Sequence, residues 1–159
     1  MANTIVMNPN LYTKPPKTAI PGARRIYEEM AITPSQTATT NIFALAVLPA
    51  GHRLHDLIVE STDMDSATSA AINVGFLNCY YNTSPNPNIS SPALNSPLLI
   101  SASTIPQAGG YARSGATLTP IHSQSPDPAN DQIVAVQFSA SPGTPTSGTI
   151  GVSFIIDFD

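Results

Sequence analysis

The cluster of residues with the clearest chemical potential is His52-x-x-His55-Asp56, because two imidazoles and a carboxylate are ligands that zinc accepts. The cluster lies at the start of a strand-like run, and side chains three positions apart along a strand point to opposite faces. The two imidazoles are therefore not expected to converge on one ion. We predict one histidine in a turn, the other on an edge strand, and no metal site.

A second suggestive pair, Asp63 and Asp65, has the spacing of the first two ligands of a calcium-binding EF-hand loop. Such a loop also needs glycine at its sixth position and glutamate at its twelfth, where this chain has Thr68 and Val74. We therefore predict a solvated polar loop between two strands. Neither cluster requires a cofactor, and we expect none.

Motifs of nucleophilic and metal-dependent hydrolases are absent from the sequence, which contains no G-x-S-x-G, S-x-x-K or H-E-x-x-H. Glycosidase sites depend on aromatic side chains that stack on sugars, and the chain has no tryptophan, although Tyr80-Tyr81 can stack on a sugar. The lone Cys79 is expected to be a small buried hydrophobe at the end of a strand. We predict that the protein is not an enzyme.

The composition describes one domain with a real core and few charges. A chain of 159 residues fits a single domain, and its hydrophobic content of 42% excludes wholesale disorder. Charged residues make up 10%, less than half of the roughly 25% usual for soluble domains. This balance suits a surface largely covered by neighbours, so we expect a homo-oligomer. No run reaches the roughly 20 apolar residues of a membrane span, and the first twenty residues lack the apolar stretch of a signal peptide.

The charge is distributed unevenly along the chain. Residues 1–25 carry four basic residues and no acid, whereas residues 26–159 carry two arginines against ten acids, which gives +4 and −8. A basic segment on an acidic body is typical of a segment that reaches a partner surface. A frayed terminus with solvated lysines is the alternative. Four cations without a dense basic run or an aromatic platform make nucleic acid a poor partner.

The elements that must position these residues are predicted to be strands. Prolines at positions 9, 15, 16 and 21 predict an extended arm over residues 1–23. Arg24–Ile32 fits a short helix or a strand, and we favour the strand. Strand-like runs follow at about 39–48, 54–60 and 70–77, separated by turn-forming residues.

The second half of the chain alternates between a long loop and clear strand patterns. Residues 82–97 carry four prolines and four asparagines and predict a long exposed loop. Runs at 131–139 and 149–158 predict a closing hairpin with a flexible tip at 140–148. Together these patterns predict an all-β protein, with a single β-sandwich or jelly-roll-like domain over residues 24–159 behind the arm.

The stretch A-L-A-V-L-P-A-G-H-R-L-H-D-L-I-V-E-S-T-D-M-D-S-A-T-S-A-A-I-N-V-G-F-L resembles small virion proteins of tailed bacteriophages. Those proteins have a strand ending in L-P-A-G, a strand ending near V-E, an acidic turn and a strand of the I-N-V-G type. Near the end of the chain, Q-I-V-A-V-Q-F-S-A-S-P-G-T-P-T-S-G-T-I-G-V-S-F-I-I-D is similar to their terminal hairpin.

The resemblance implies a non-enzymatic subunit that decorates and cements the capsid exterior, made in the host cytoplasm without a signal peptide. Such proteins bind the major capsid protein, commonly as trimers, and clasp the shell with an extended arm. The arm residues expected to contact the shell are Tyr12, Lys14, Pro15, Pro16, Lys17, Arg24 and Arg25. Two alternatives remain open: a head–tail neck or tail subunit, and a glycan-binding adhesin-like module that uses Tyr80, Tyr81 and the 82–97 loop.

Overall fold

Strands account for most of the regular structure of this chain. The computed structural model describes residues 2–11, 24–81, 91–96, 98–114 and 130–158. The strands of these residues are β1 (Thr4–Met7), β2 (Arg24–Ile32), β3 (Asn41–Leu48), β4 (His52–Ser61), β5 (Ala71–Tyr81), β6 (Ile100–Ser103), β7 (Gly110–Arg113), β8 (Asp131–Ala140) and β9 (Gly148–Phe158). Short 3₁₀ helices lie at Pro34–Gln36 and Ile105–Gln107. Within the described part of the chain, no helix has the length and apolar character needed to cross a membrane.

The strands form two sheets, which confirms the predicted all-β sandwich. A five-stranded sheet has the order β1-β3-β8-β5-β6, and a four-stranded sheet has the order β2-β9-β4-β7. β1 runs parallel to β3, whereas the neighbouring strands in the rest of both sheets are antiparallel. The choice of a strand for Arg24–Ile32 is confirmed: its buried Met30 and Ile32 recur with the period of two that a strand requires.

The predicted closing hairpin is wrong. β8 pairs with β3 and β5, while β9 pairs with β2 and β4, so the two strands are central in opposite sheets. Apolar residues on both faces of β8 are typical of a strand flanked and covered on all sides. The connection between the strands is also held in place: the Thr146 backbone N–H donates to the Met64 carbonyl, and Asp65 forms an isolated β-bridge with Pro145.

The main core fills the space between the two sheets. It is built from fully buried aliphatic side chains around Phe43, Phe138 and Phe154. The rings of Phe43 and Phe138 meet edge to face, with centroids 6.1 Å apart and planes at 82°. A second cluster, which we call the outer cluster, involves strands of the five-stranded sheet; its buried members are Leu11, Ile42, Ala44, Val47, Leu77, Ile133 and Ala135.

The first residues of the predicted arm belong to the domain. β1 pairs in register with β3, from Thr4 opposite Asn41 to Met7 opposite Ala44. The buried Asn8 side chain follows, and its Nδ2 donates to the backbone carbonyls of Glu29 and Leu45. Residues 12–23 lie outside the described residues, so an arm in that segment stays a prediction.

The predicted 82–97 loop is described only at 91–96, and this part runs back along β5. The Asn78 backbone N–H donates to the Ala93 carbonyl, and the Asn95 N–H donates to the Phe76 carbonyl. The Asn78 side chain adds two bonds, from its Nδ2 to the Ser91 carbonyl and from the Ala93 N–H to its Oδ1. The described part is therefore tied to the sheet, and residues 82–90 and 97 lie outside the description.

Candidate functional site

The outer face of the four-stranded sheet carries a row of residues across all four strands. Strand register places Glu29 of β2 beside Gly151 of β9, Gly151 beside Glu60 of β4, and Glu60 beside Tyr111 of β7. These residues face outward because their chain neighbours, such as Val59 and Val152, point into the main core. Gly151 has no side chain, so the middle of the row is a depression.

Two tyrosines border this depression. Tyr27 and Tyr111 are the large apolar side chains that the described residues leave exposed, at 46% and 73%. Tyr27 leans from β2 over Gly151, where a Cβ atom would lie 3.0 Å from its hydroxyl oxygen. The resulting groove has a volume of about 310 Å³. Its lining residues are Tyr27, Glu60, Ser61, Thr62, Gly110, Tyr111, Thr149 and Gly151.

The groove is acidic. The Tyr27 hydroxyl donates to Glu29 Oε2 at 2.9 Å, and this bond raises the pKa of Tyr27, helped by partial burial and by the negative charges of Glu29 and Glu60. Within the described ranges neither carboxylate is in an ion pair. Two arginines lie on the same face. Arg25 Nε donates to Ser153 Oγ at 2.7 Å, beside Tyr27, and its charge partly offsets the rise in the Tyr27 pKa. Arg113 Nε donates to Asp56 at 2.8 Å.

This arrangement can bind but offers no obvious nucleophile. Exposed tyrosine faces accept flat apolar groups or cations, and carboxylates accept hydrogen bonds from cations. The glycine floor lets a ligand approach the backbone of β9. Sequence reasoning missed this groove because Tyr27 and Tyr111 lie far apart in the chain and meet only through the order of the strands. The one local signal was the alternation on β2 that places Arg25, Tyr27 and Glu29 on one face.

The predicted shell-contacting residues are mostly outside the described structure. Tyr12, Lys14, Pro15, Pro16 and Lys17 belong to the segment 12–23, which the structure does not describe. Arg24 is the first residue of β2 and is described through its backbone alone, while Arg25 lies exposed on the outer face of β2. Their role stays a prediction.

The residues of the histidine cluster contact different parts of the chain. His52 Nδ1 lies 3.1 Å from the Ala50 carbonyl, and a β-bulge between Leu54 and Asp56 interrupts the register with β9 at His55. Asp56 accepts from Arg113. The described residues contain no group of three or more His, Cys, Asp or Glu side chains placed to hold a metal ion. Tyr80 and Tyr81 continue the backbone of β5, and their side chains lie outside the description.

The prediction of a solvated Asp63–Asp65 loop is wrong for Asp65, which is fully buried. Its carboxylate accepts five hydrogen bonds of 2.6–3.1 Å. The donors are the backbone N–H groups of Ala67, Ser69, Ala70 and Thr144 and the Ser69 hydroxyl. Burial by itself would raise the pKa of this carboxyl, but the backbone donors outweigh burial and hold it well below its usual range.

Asp65 therefore holds the loop that precedes β5 against the connection between β8 and β9. The sequence carried a signal for this role, because an aspartate followed by small hydroxyl residues is typical of a loop closed by side-chain-to-backbone bonds.

Comparison with known proteins places the fold among phage capsid components. The chain matches no protein-family model and no curated protein. A chain of the capsid of Ralstonia phage GP4 superimposes with a TM-score of 0.81 at 20% identity, over 98% of this chain and 99% of that chain. A chain of the cyanophage Pam1 capsid asymmetric unit superimposes with a TM-score of 0.50 at 16% identity, over 91% of each chain. These likenesses show a shared fold.

Proposed function

We propose that this protein is a non-enzymatic virion structural subunit that decorates the exterior of a phage capsid and stabilises the assembled shell by binding the major capsid protein. The observation that carries the proposal is the match to the GP4 capsid chain, which extends over 98% of this chain and 99% of that one. The two chains therefore share one fold over nearly the whole of the residues compared. A small subunit of this kind suits addition to a shell built by another protein.

The proposed mechanism is stabilisation by mass action. A protein that binds the assembled shell and not its separated subunits shifts the equilibrium away from rupture. Many copies on one lattice gain avidity even when each contact is weak. The low content of charged residues, 10%, suits a body that packs against neighbours, and we propose a trimer as the binding unit.

The attachment is proposed to run through the basic, proline-rich segment. Lys14, Lys17, Arg24 and Arg25 supply the charge, and Tyr12 with Pro15 and Pro16 supplies an extended apolar surface. An extended segment can add its backbone to an exposed strand edge of the shell.

The test replaces residues 12–22 by a glycine-serine linker of equal length. This change spares β1, Asn8 and Leu11, which belong to the folded domain, and keeps β1 and β2 connected. Capsids assembled without the protein are mixed with either form, and binding is measured by co-sedimentation. Release of DNA on heating is followed with a dye. We expect the natural chain to bind and to raise the release temperature, and the linker variant to fold but bind weakly.

A matched control removes charge from the body instead of the segment. The double variant Arg53→Gln/Arg113→Gln loses two exposed cations and should bind like the natural chain. Equal binding by the linker variant would overturn attachment through the segment. Failure of the natural chain to bind shells, with six or twelve copies per virion, would overturn decoration and favour a neck or tail subunit.

A further inference from the structure

The chemistry of the groove on the four-stranded sheet favours a ligand with two properties. Glu60 lines the groove, and Glu29 lies beside its Gly151 floor. Neither carboxylate has an ion-pair partner within the described residues, so a ligand that covers them must bring positive charge or hydrogen-bond donors. The exposed faces of Tyr27 and Tyr111 call for a flat apolar surface. A neutral sugar would use the tyrosines and could donate hydroxyl hydrogen bonds to the carboxylates, but it would not neutralise their charge; a cationic ligand does both, and an acidic ligand would be repelled.

The chain itself contains a segment with both properties, Lys14-Pro15-Pro16-Lys17. Consecutive prolines favour the polyproline II conformation, and aromatic-lined grooves bind that conformation at low entropic cost. The segment lies in the part of the sequence with four cations and no acid, whereas residues 26–159 carry −8. Residues 12–23 are outside the described structure, so this complementarity uses their sequence alone.

The spacing of the two lysines in a polyproline II helix would match the spacing of Glu29 and Glu60. A segment bound as a polyproline II helix has three residues per turn and a rise of about 3.1 Å per residue, so charges three positions apart in it would lie on one side about 9 Å apart. Glu29 on β2 and Glu60 on β4 are two strand steps apart across Gly151. With strands about 4.8 Å apart, their backbone positions are separated by about 10 Å.

We propose that the Tyr27–Tyr111 groove binds the Lys14–Lys17 segment of a second copy of this chain. Each lysine then faces one of the two glutamates, and the proline pair lies over Gly151 between the tyrosines. Such a contact joins unlike surfaces of the two copies, so it either closes into a ring or continues as an open chain. A ring of three would give the trimer proposed above, and linked copies would form a connected layer.

This inference goes beyond shell binding and rests on the proposed decoration of a lattice: within it, Lys14 and Lys17 gain a contact with a neighbouring copy, while Tyr12, Arg24 and Arg25 remain for the shell. The two proposals are separable because copy-to-copy docking needs no shell protein. The experiment is sedimentation equilibrium of the full chain at an ionic strength of about 0.01 M, where the Debye length is about 30 Å. Two charge-removing variants are compared with the natural chain: Lys14→Gln/Lys17→Gln and Glu29→Gln/Glu60→Gln.

Each variant should self-associate about tenfold or more weakly than the natural chain. Salt near 1 M should weaken the self-association of the natural chain. The charge-reversed protein Lys14→Glu/Lys17→Glu/Glu29→Lys/Glu60→Lys should recover association. The matched control is Asp63→Asn, which removes an exposed acid that is in no ion pair in the part of the chain that the structure describes and lies outside the groove lining. It should associate like the natural chain, and thermal unfolding verifies that each variant is folded.

Three results would overturn the inference. The natural chain could stay monomeric up to about 100 µM, well above the Kd range of specific interfaces. The two charge-removing variants could associate like the natural chain. Finally, tri-N-acetylglucosamine could bind the groove, with loss on Tyr111→Ala, while no self-association occurs, which would assign the groove to a glycan. Self-association lost in the lysine variant with shell binding retained would support docking between copies.

Discussion

The two outer faces of this sandwich differ sharply. The outer cluster of the five-stranded sheet is buried, and Leu11 from the residues after β1 is one of its members. The outer face of the four-stranded sheet instead exposes Tyr27 and Tyr111 beside two glutamates. One sheet is therefore enclosed on both sides by its own chain, and the other presents a shaped polar face.

The burial patterns of individual strands show the same difference. Residues Ile42–Leu48 of β3 are all buried, whereas β4 alternates buried and accessible positions along most of its length. Continuous apolar runs are typical of strands covered on both faces, and alternation is typical of strands with one face in solvent. A partner surface is therefore expected on the four-stranded sheet, where buried and accessible positions alternate.

The largest expected effect comes from placing the same charge on each face. Ala135 on β8 is fully buried in the outer cluster, and Ala31 on β2 is exposed on the other sheet. Ala135→Glu buries an unpaired carboxylate at a cost of several kcal/mol, a large share of a typical stability of about 5–15 kcal/mol. Ala31→Glu should change stability by about 0.5 kcal/mol or less.

Urea unfolding of both variants measures this contrast, with soluble yield as a second readout. We expect Ala135→Glu to be unfolded or insoluble and Ala31→Glu to match the natural chain. Similar unfolding midpoints for the two variants would contradict the assignment of one enclosed and one open face.

An intermediate effect is expected at Asp65, which joins loops at one end of the sandwich. Its folded pKa lies below the unfolded value of about 3.9. The stabilisation it supplies is thus complete above about pH 4 and is lost as the pH falls towards its folded pKa. Asp65→Asn should lower Tm by several degrees at pH 7 and flatten the decline of Tm between about pH 4 and pH 2.

Thermal unfolding followed by circular dichroism at a series of pH values gives both quantities. Asp63→Asn is the matched control, because Asp63 is exposed and its carboxylate accepts a hydrogen bond from the Asp65 backbone N–H. Equal Tm losses in the two variants would show that the buried carboxylate has no special role.

The smallest expected effect lies in the groove. Because the hydrogen bond to Glu29 is the largest cause of the raised Tyr27 pKa, Glu29→Ala should lower that pKa towards 10.0, the value of an unperturbed tyrosine. Stability at pH 7 should change by less than about 1 kcal/mol, since both side chains are accessible. Absorbance titration at alkaline pH, with Tyr27→Phe to identify the transition among the five tyrosines, measures the shift. An unchanged pKa in Glu29→Ala would remove the bond from the description of the groove.

Local patterns in the sequence were enough to find most of the strands. The alternation of Met30 and Ile32 identified β2, and apolar β-branched runs identified β3, β5, β8 and β9 to within a few residues. These signals are local because the strand period follows from backbone geometry at each residue. They do not say which strand lies beside which, so β8 and β9 were wrongly paired as a hairpin.

Local sequence patterns were enough for the all-β class, for the approximate positions of β2, β3, β4, β5, β8 and β9, and for the separation of a basic first segment from an acidic body. Only the tertiary structure decided that β8 and β9 lie in opposite sheets, that Asp65 is buried under five donors, and that Tyr27 and Tyr111 border one groove. The physical reason is the sequence separation over which each kind of interaction acts. Periodicity and turn chemistry act between residues close in the chain, whereas pairing, burial and grooves depend on contacts between residues far apart in it, which form only when the whole sandwich packs.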